Sequence, residues 1–117
     1  MDIHFTARRF KAHRELRNYA LDTLRRLDKF YDGILRSDVI LSYERKPNSL
    51  KRAEINLHII GGTLSAKETT DDFAVSIDQA IEKLMRQLGR VKSRTKKDKR
   101  TIRKFKESLA LPASEEE

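Results

Sequence analysis

Residues 38–68 read DVILSYERKPNSLKRAEINLHIIGGTLSAKE, and their pattern is the clearest indication of the chain's architecture. Apolar and polar side chains alternate in three segments of it, which is the period of a β-strand with one buried face. Lys46-Pro47-Asn48-Ser49 and Gly61-Gly62 are turn sequences between the segments. We therefore predict three consecutive antiparallel strands. Their buried positions are Val39, Leu41 and Tyr43, then Ala53, Ile55, Leu57 and Ile59, then Leu64 and Ala66.

Outside this stretch the chain predicts one more strand and two helices. Residues 2–6 alternate like a strand, whereas residues 13–31 and 73–91 each carry apolar side chains three and four apart, as amphipathic helices do. The order β-α-β-β-β-α predicts an α+β fold, with a four-stranded sheet and two helices packed on one face, similar to a double-stranded-RNA-binding domain. The other sheet face is predicted to be polar and to carry His4, Thr6, Ser42, Glu44, Asn56, His58, Ser65 and Lys67.

The composition is that of one small globular domain. The chain has 117 residues, of which 38% are apolar and 38% charged, so the core is lean but sufficient for two layers. It has no cysteine, which excludes disulfides and thiolate zinc sites. Its N-terminus lacks the apolar core of a signal peptide, and no long apolar run follows. We therefore expect a soluble, cytoplasmic protein that is not bound to a membrane.

The excess positive charge lies in one stretch. Residues 83–106 contain twelve Lys or Arg and a single acid, Asp98, although the whole chain has a net charge of only +8. A solvated helix face normally intersperses acids with bases, because unrelieved like charge costs stability. The concentration therefore favours a polyanion as partner, a nucleic acid first of all. At about 100° per residue, one stripe of the second helix holds Lys83, Arg86, Arg90, Arg94 and Lys97.

Catalytic chemistry has no support in the sequence. The chain has three histidines, of which His4 and His58 are predicted to share the polar sheet face, where surface histidines are ordinary. No Ser-His-Asp arrangement and no Gly-rich phosphate loop can be argued, and Gly61-Gly62 is a turn. We expect no enzyme activity, no catalytic residue, no bound metal or cofactor and no small-molecule substrate.

Five segments resemble the ribosome hibernation promoting factor / ribosome-associated inhibitor family in its short form. They are DIHFTARRF at 2–10, LRRLDKFYDGI at 24–34, VILSYE at 39–44, GGTLSA at 61–66 and DDFAVSIDQAIEKLMRQLGRVK at 71–92. The last is similar to the family's Asp-aromatic start of the second helix, followed by Ile-Asp and a Lys-Leu-x-x-Gln-Leu series. The resemblance covers about residues 1–97.

The resemblance implies a function in ribosome hibernation, a stress response that regulates translation. It implies that the chain binds rRNA in the decoding region of the small ribosomal subunit and blocks the mRNA and tRNA sites by occupying them. Cations at the end of the first helix would in any case interact favourably with the helix dipole, and the resemblance implies that they also belong to the site. The expected rRNA-binding residues come from the end of the first helix, from the stripe of the second helix and from the end of the first strand. They are Arg8, Arg25, Arg26, Lys29, Lys83, Arg86, Arg90, Arg94 and Lys97.

The expected organisation is a ribosome-binding domain over residues 1–97 and a flexible, mostly basic tail over 98–117 with an acidic end. The family's long forms add a dimerisation domain for which this chain has no room, so we expect a monomer when free. The ending Glu115-Glu116-Glu117 is more similar to the inhibitor branch, which keeps ribosomes single. Two alternatives stay open: a double-stranded RNA-binding module not specific to ribosomes, and a protein-interaction module whose basic tail meets an acidic protein.

Overall fold

The chain forms six elements in the predicted order. The computed structural model describes the backbone of residues 1–44 and 49–108 and the side chains of residues 1–44 and 49–94. The predicted turn around Pro47 therefore falls mostly outside the described residues. The elements are β1 (Asp2–Arg8), α1 (Arg14–Phe30), β2 (Ile34–Glu44), β3 (Leu50–Ile59), β4 (Gly62–Thr70) and α2 (Phe73–Ser108).

The four strands form one sheet in the order β1-β2-β3-β4. β1 is parallel to β2, and the other two pairs are antiparallel. A parallel pair needs a crossover connection, which α1 supplies. Because β4 runs in the same direction as β1, α1 and α2 begin at the same end of the sheet. The fold prediction is confirmed.

Strand register separates a buried sheet face from an open one. Val39 lies opposite Ile55, and Ile55 lies opposite Ala66, and all three side chains are buried. The eight polar residues predicted for the other face are all exposed or half-buried. Both helices bury one stripe and complete the core on the apolar face. Their buried residues include Ala20, Thr23, Leu24 and Leu27 of α1 and Ile77, Ala80, Ile81 and Leu84 of α2.

The start of α2 is fastened to the sheet by polar side chains. Asp72 Oδ1 accepts a hydrogen bond from the Ala74 N–H at 2.9 Å, which satisfies one free donor of the first turn. The buried hydroxyl of Ser76 donates to the carbonyl of Lys51 at 2.7 Å and lies 2.7 Å from the Thr70 hydroxyl. The helix is therefore anchored on β3 and β4 before its cationic part begins.

The end of α2 differs from the prediction. Residues 1–87 form one compact unit and a second unit begins at Leu88, but α2 itself continues to Ser108. The tail expected from residue 98 is therefore helical through Ser108. The apolar stripe ends near Arg94, yet residues 95–108 contain no Gly or Pro and are rich in Lys and Arg, which favour helices. The acidic end, residues 109–117, lies outside the described residues.

Candidate nucleic-acid interface

The cations at the end of α1 are exposed. Arg25, Arg26 and Lys29 lie in the last two turns of the helix. Arg25 Nη1 donates to Asp22 Oδ1 at 2.8 Å, and an exposed pair of this kind contributes little to stability. Arg26 and Lys29 form no ion pair with a carboxylate in the described part of the chain. Their charges are therefore open to an outside anion.

The cationic surface of α1 extends to the edge of the sheet. Arg25 and Lys29 border a surface cavity of about 580 Å³ between α1 and β1, with apolar side chains of both elements among its lining. The Arg17 guanidinium, which also lines it, lies 5.7 Å from the centre of the Phe5 ring, within cation–π range. Asp28 also lines it, so the cavity combines a mainly basic rim with an apolar lining.

A side-chain hydrogen bond joins the two helices. Tyr19 of α1 donates its hydroxyl proton to the carboxylate of Asp78 of α2. This bond raises the pKa of Tyr19, burial adds to the rise, and the nearby Arg26 guanidinium opposes it. Each partner lies five residues after the first residue of its helix. At 1.5 Å per residue, Arg26 and Arg86 are therefore about 10 and 12 Å further along their helices, at the same end of the helical layer.

Lys83 is committed to a partner within the protein. Its ammonium forms an ion pair with Glu68 Oε2 of β4, and the Glu68 side chain is only 18% exposed. That oxygen is buried and accepts no aligned hydrogen bond, so Lys83 is its charged partner among the described residues. The Lys83 side chain is still 49% exposed. Lys83 therefore has a structural role that spacing along the helix did not predict.

Lys83→Glu is expected to lower the free energy of unfolding by about 2 kcal/mol, because it removes the partner of a shielded carboxylate and adds a like charge. This loss is smaller than the roughly 3–5 kcal/mol expected when a fully buried ion pair is broken, because the Lys83 side chain is half-exposed. Urea denaturation measures it. Arg86→Glu, three residues further along and exposed, is the matched control and should stay within about 0.5 kcal/mol. Equal losses in both variants would contradict a structural role for the Lys83–Glu68 pair.

The cations of the α2 stripe divide between the two units. Arg86 belongs to residues 1–87, whereas Arg90 and Arg94 belong to the second unit, and all three are exposed. None of them forms an ion pair with a carboxylate among the described side chains. Lys97 lies outside the described side chains. That these residues share one RNA-binding face stays a prediction.

Arg8 ends β1 and is exposed, without an ion pair to a described carboxylate. The strand register places Arg8 opposite Ser42 of β2, and it places Ser42 opposite Arg52 of β3. Arg52 is an exposed cation that the sequence reasoning missed. Alternation could have found it, because its neighbour Ala53 is buried and Arg52 must therefore point to the open face.

The two histidines of the open face, His4 and His58, each contact a different aspartate. His4 Nε2 lies 3.0 Å from Asp2 Oδ2, whereas His58 Nε2 lies 2.9 Å from Asp38 Oδ2. Arg36 Nε donates to the other Asp38 oxygen at 2.9 Å. Over the described ranges, no cluster of three or more metal-ligating side chains occurs, and no helix is both long and apolar enough to cross a membrane.

Asp38→Asn is expected to remove an acid-sensitive part of the stability. Burial acts to raise the pKa of Asp38, but the hydrogen bonds and charges of His58 and Arg36 outweigh it and hold the pKa below its ordinary 3.8. A carboxylate with a lowered pKa stabilises the fold above the unfolded pKa, and this contribution is lost as pH falls through the folded pKa. The wild type should therefore exceed the Asn variant in unfolding free energy near neutral pH and lose that margin as the pH falls below 3.8 and through the lowered pKa of Asp38. Urea titrations check this, and a margin independent of pH would contradict it.

Residues 1–87 thus form a two-layer α+β domain with cations on its helical layer, and comparison with known proteins identifies its family. The profile of the family described as Sigma 54 modulation protein / S30EA ribosomal protein matches residues 3–96. The chain belongs to this family, which confirms the resemblance noted in its sequence.

Relatives and solved structures agree with this family. The ribosome hibernation promotion factor of Deinococcus radiodurans is 34% identical over 103 residues, which are 86% of this chain and 53% of that protein. The chain therefore spans about half of that relative. The ribosome hibernation promoting factor of Klebsiella oxytoca is 28% identical over 96 residues, which are 82% of this chain and 98% of that protein.

Two solved structures share the fold. A ribosomal subunit interface protein from Coxiella burnetii superposes with a TM-score of 0.71 and 25% identity, covering 80% of this chain and 99% of that one. The N-terminal domain of Thermus thermophilus Protein Y gives a TM-score of 0.69 and 32% identity, covering 78% of this chain and 99% of that one.

Proposed function

We propose that this protein is a ribosome hibernation factor that binds small-subunit rRNA in the decoding region and blocks the sites of mRNA and tRNA. Family membership and the names of the relatives support the ribosome as partner. The observation that carries the RNA contact is the helical layer. There Arg26, Lys29 and Arg86 are exposed and form no ion pair with a described carboxylate.

In the proposed mechanism, the protein inhibits translation by occupying the decoding region. Guanidinium groups bind phosphate oxygens in a bidentate way, and two helices that begin at the same end of the sheet offer them along two rows. Each neutralised phosphate releases condensed counterions, so binding weakens steeply with salt. A protein held on the decoding region excludes mRNA and tRNA by its volume, and the inhibition requires no bond to form or break.

The double-stranded RNA alternative is less well supported. A module of that kind reads A-form RNA with contacts at the start of its second helix. Here that start carries Asp71 and Asp72, both exposed, and the Asp72 carboxylate caps the helix. Two carboxylates at this position repel phosphates, whereas the exposed cation Arg86 lies about four turns further along.

Co-sedimentation with isolated small subunits at about 0.15 M salt tests the proposal. The protein should pellet with the subunits, dissociate as salt rises, and be displaced by mRNA together with tRNA. Absence from the subunits at this salt would reject ribosome binding. Binding that mRNA and tRNA leave unchanged would reject the decoding region. Tight binding to a bare RNA duplex without binding to subunits would favour the alternative.

A further inference from the structure

A row of polar residues crosses all four strands near one end of the open sheet face. Arg8 of β1, Ser42 of β2, Arg52 of β3 and Thr69 of β4 are successive partners in the strand register. Neighbouring strands lie about 4.8 Å apart, so the backbones of the two arginines are about 10 Å apart with Ser42 between them. This row faces away from the two helices, and Arg8 is its one member that already belongs to the expected rRNA-binding residues.

The row borders a cavity of about 170 Å³. At about 30 Å³ per water, this volume corresponds to roughly six waters, which leaves room for an oxyanion. Arg9 and Glu44 also line it and form an ion pair with each other at 3.9 Å. The backbone of Arg9 is left-handed, with φ at 69°, where the chain leaves β1 for α1.

The charges of the cavity do not balance. Arg9 and Glu44 offset each other, whereas Arg8 and Arg52 form no ion pair with a carboxylate among the described residues. The next acid on this face is Glu54, two residues along β3 and half-buried. Two uncompensated guanidinium groups and two hydroxyl groups are the donors that recognise phosphate oxygens.

We propose that the row of Arg8, Ser42, Arg52 and Thr69 binds a phosphate of the RNA backbone, as a second contact beyond the helical layer. The proposal rests on the proposed function, since it supplies a further contact to the same RNA. A phosphate fits better than a base, because the aromatic rings near the row have partners of their own. Tyr43, which lines the cavity, has the Lys51 ammonium 5.8 Å from its ring centre, and His4 and His58 of the open face contact aspartates. An acidic protein fits less well, because interfaces between proteins are anchored by aromatic and apolar side chains. The row has none, and Tyr43 and Leu50, which line the cavity beside it, are already half-buried within this chain.

The test compares Arg52→Thr with the matched control Lys67→Thr. Both remove one exposed cation from the open face and keep a residue that suits a strand. Arg52→Thr should weaken binding to small subunits roughly tenfold, as loss of a charge-assisted contact does. It should also lower the slope of log affinity against log salt by about 0.7–0.9. Lys67→Thr should change affinity less than twofold. Equal effects would overturn the row as a site, because net charge alone would then explain them.

Failure of the row can be told apart from failure of the proposed function. If the wild type binds subunits and Arg52→Thr matches the control, the row fails and the proposed function stands. If the wild type does not bind subunits, the same pair is measured on a single-stranded RNA oligonucleotide, where equal affinities overturn the row. Polyglutamate is the other probe. A loss of polyglutamate binding in Arg52→Thr, with RNA binding intact, would overturn the proposal in favour of an acidic protein.

Discussion

Reversing the charges of Arg26 and Arg86 together is expected to release the protein from small ribosomal subunits. In the proposed function each guanidinium makes a charge-assisted contact with phosphate, worth about 1.5–3 kcal/mol. Loss of both contacts then weakens binding by roughly 10²–10⁴-fold, since 1.4 kcal/mol is tenfold. The dissociation constant for small subunits at about 0.15 M salt measures the effect. The fold should survive, because both side chains are exposed and pair with no described carboxylate.

The control changes the net charge equally at the other end of α1. Lys11→Glu with Arg14→Glu reverses two exposed cations, and Arg14 lies about 18 Å from Arg26 along the helix. Thermal melts of both double variants exclude unfolding as the cause of lost binding. If the control weakens binding as much as the Arg26 and Arg86 reversals do, net charge governs the affinity. The helical layer would then have no special role.

The fold was predictable because its buried faces are regular in sequence. Strands β2 and β3 alternate without interruption from Val39 to Leu41 and from Ala53 to Ile59, and every second residue is buried. The end of α2 was not predictable from this pattern. Past Arg94 the helix has no apolar stripe, so intrinsic propensity carries it to Ser108, and hydrophobic periodicity does not report propensity.

The cations of the site could be predicted, but their partners could not. Lys83 and Arg86 are equivalent in the spacing of the stripe, yet only Lys83 has Glu68 beside it. That contact depends on how α2 packs on β4, which no local pattern encodes. Predicting the row from Arg8 to Arg52 requires the strand register, which no local pattern encodes either. Alternation gives the face of each residue but not the offset between strands.

Leu57→Ala is expected to lower the free energy of unfolding by about 2–5 kcal/mol. Leu57 is fully buried in β3, an interior strand, between Ser37 of β2 and Leu64 of β4. The truncated side chain leaves a cavity that the surrounding sheet and helices fill only in part. Small domains are stable by about 5–15 kcal/mol, so a large share of the total is lost. Urea denaturation followed by circular dichroism measures the shift.

Leu35→Ala removes the same atoms from β2 at a position that is 58% exposed, and should change the stability by no more than about 0.5 kcal/mol. The difference between the two variants isolates burial, because both replace Leu by Ala within a strand. Comparable losses would mean that strand propensity, and not the core, sets the cost. Leu57 lies beneath the helical layer and touches no proposed ligand. At temperatures where the variant stays folded, its affinity for small subunits should therefore match the wild type. A loss of affinity in the folded variant would show that the core also fixes the positions of the helical cations.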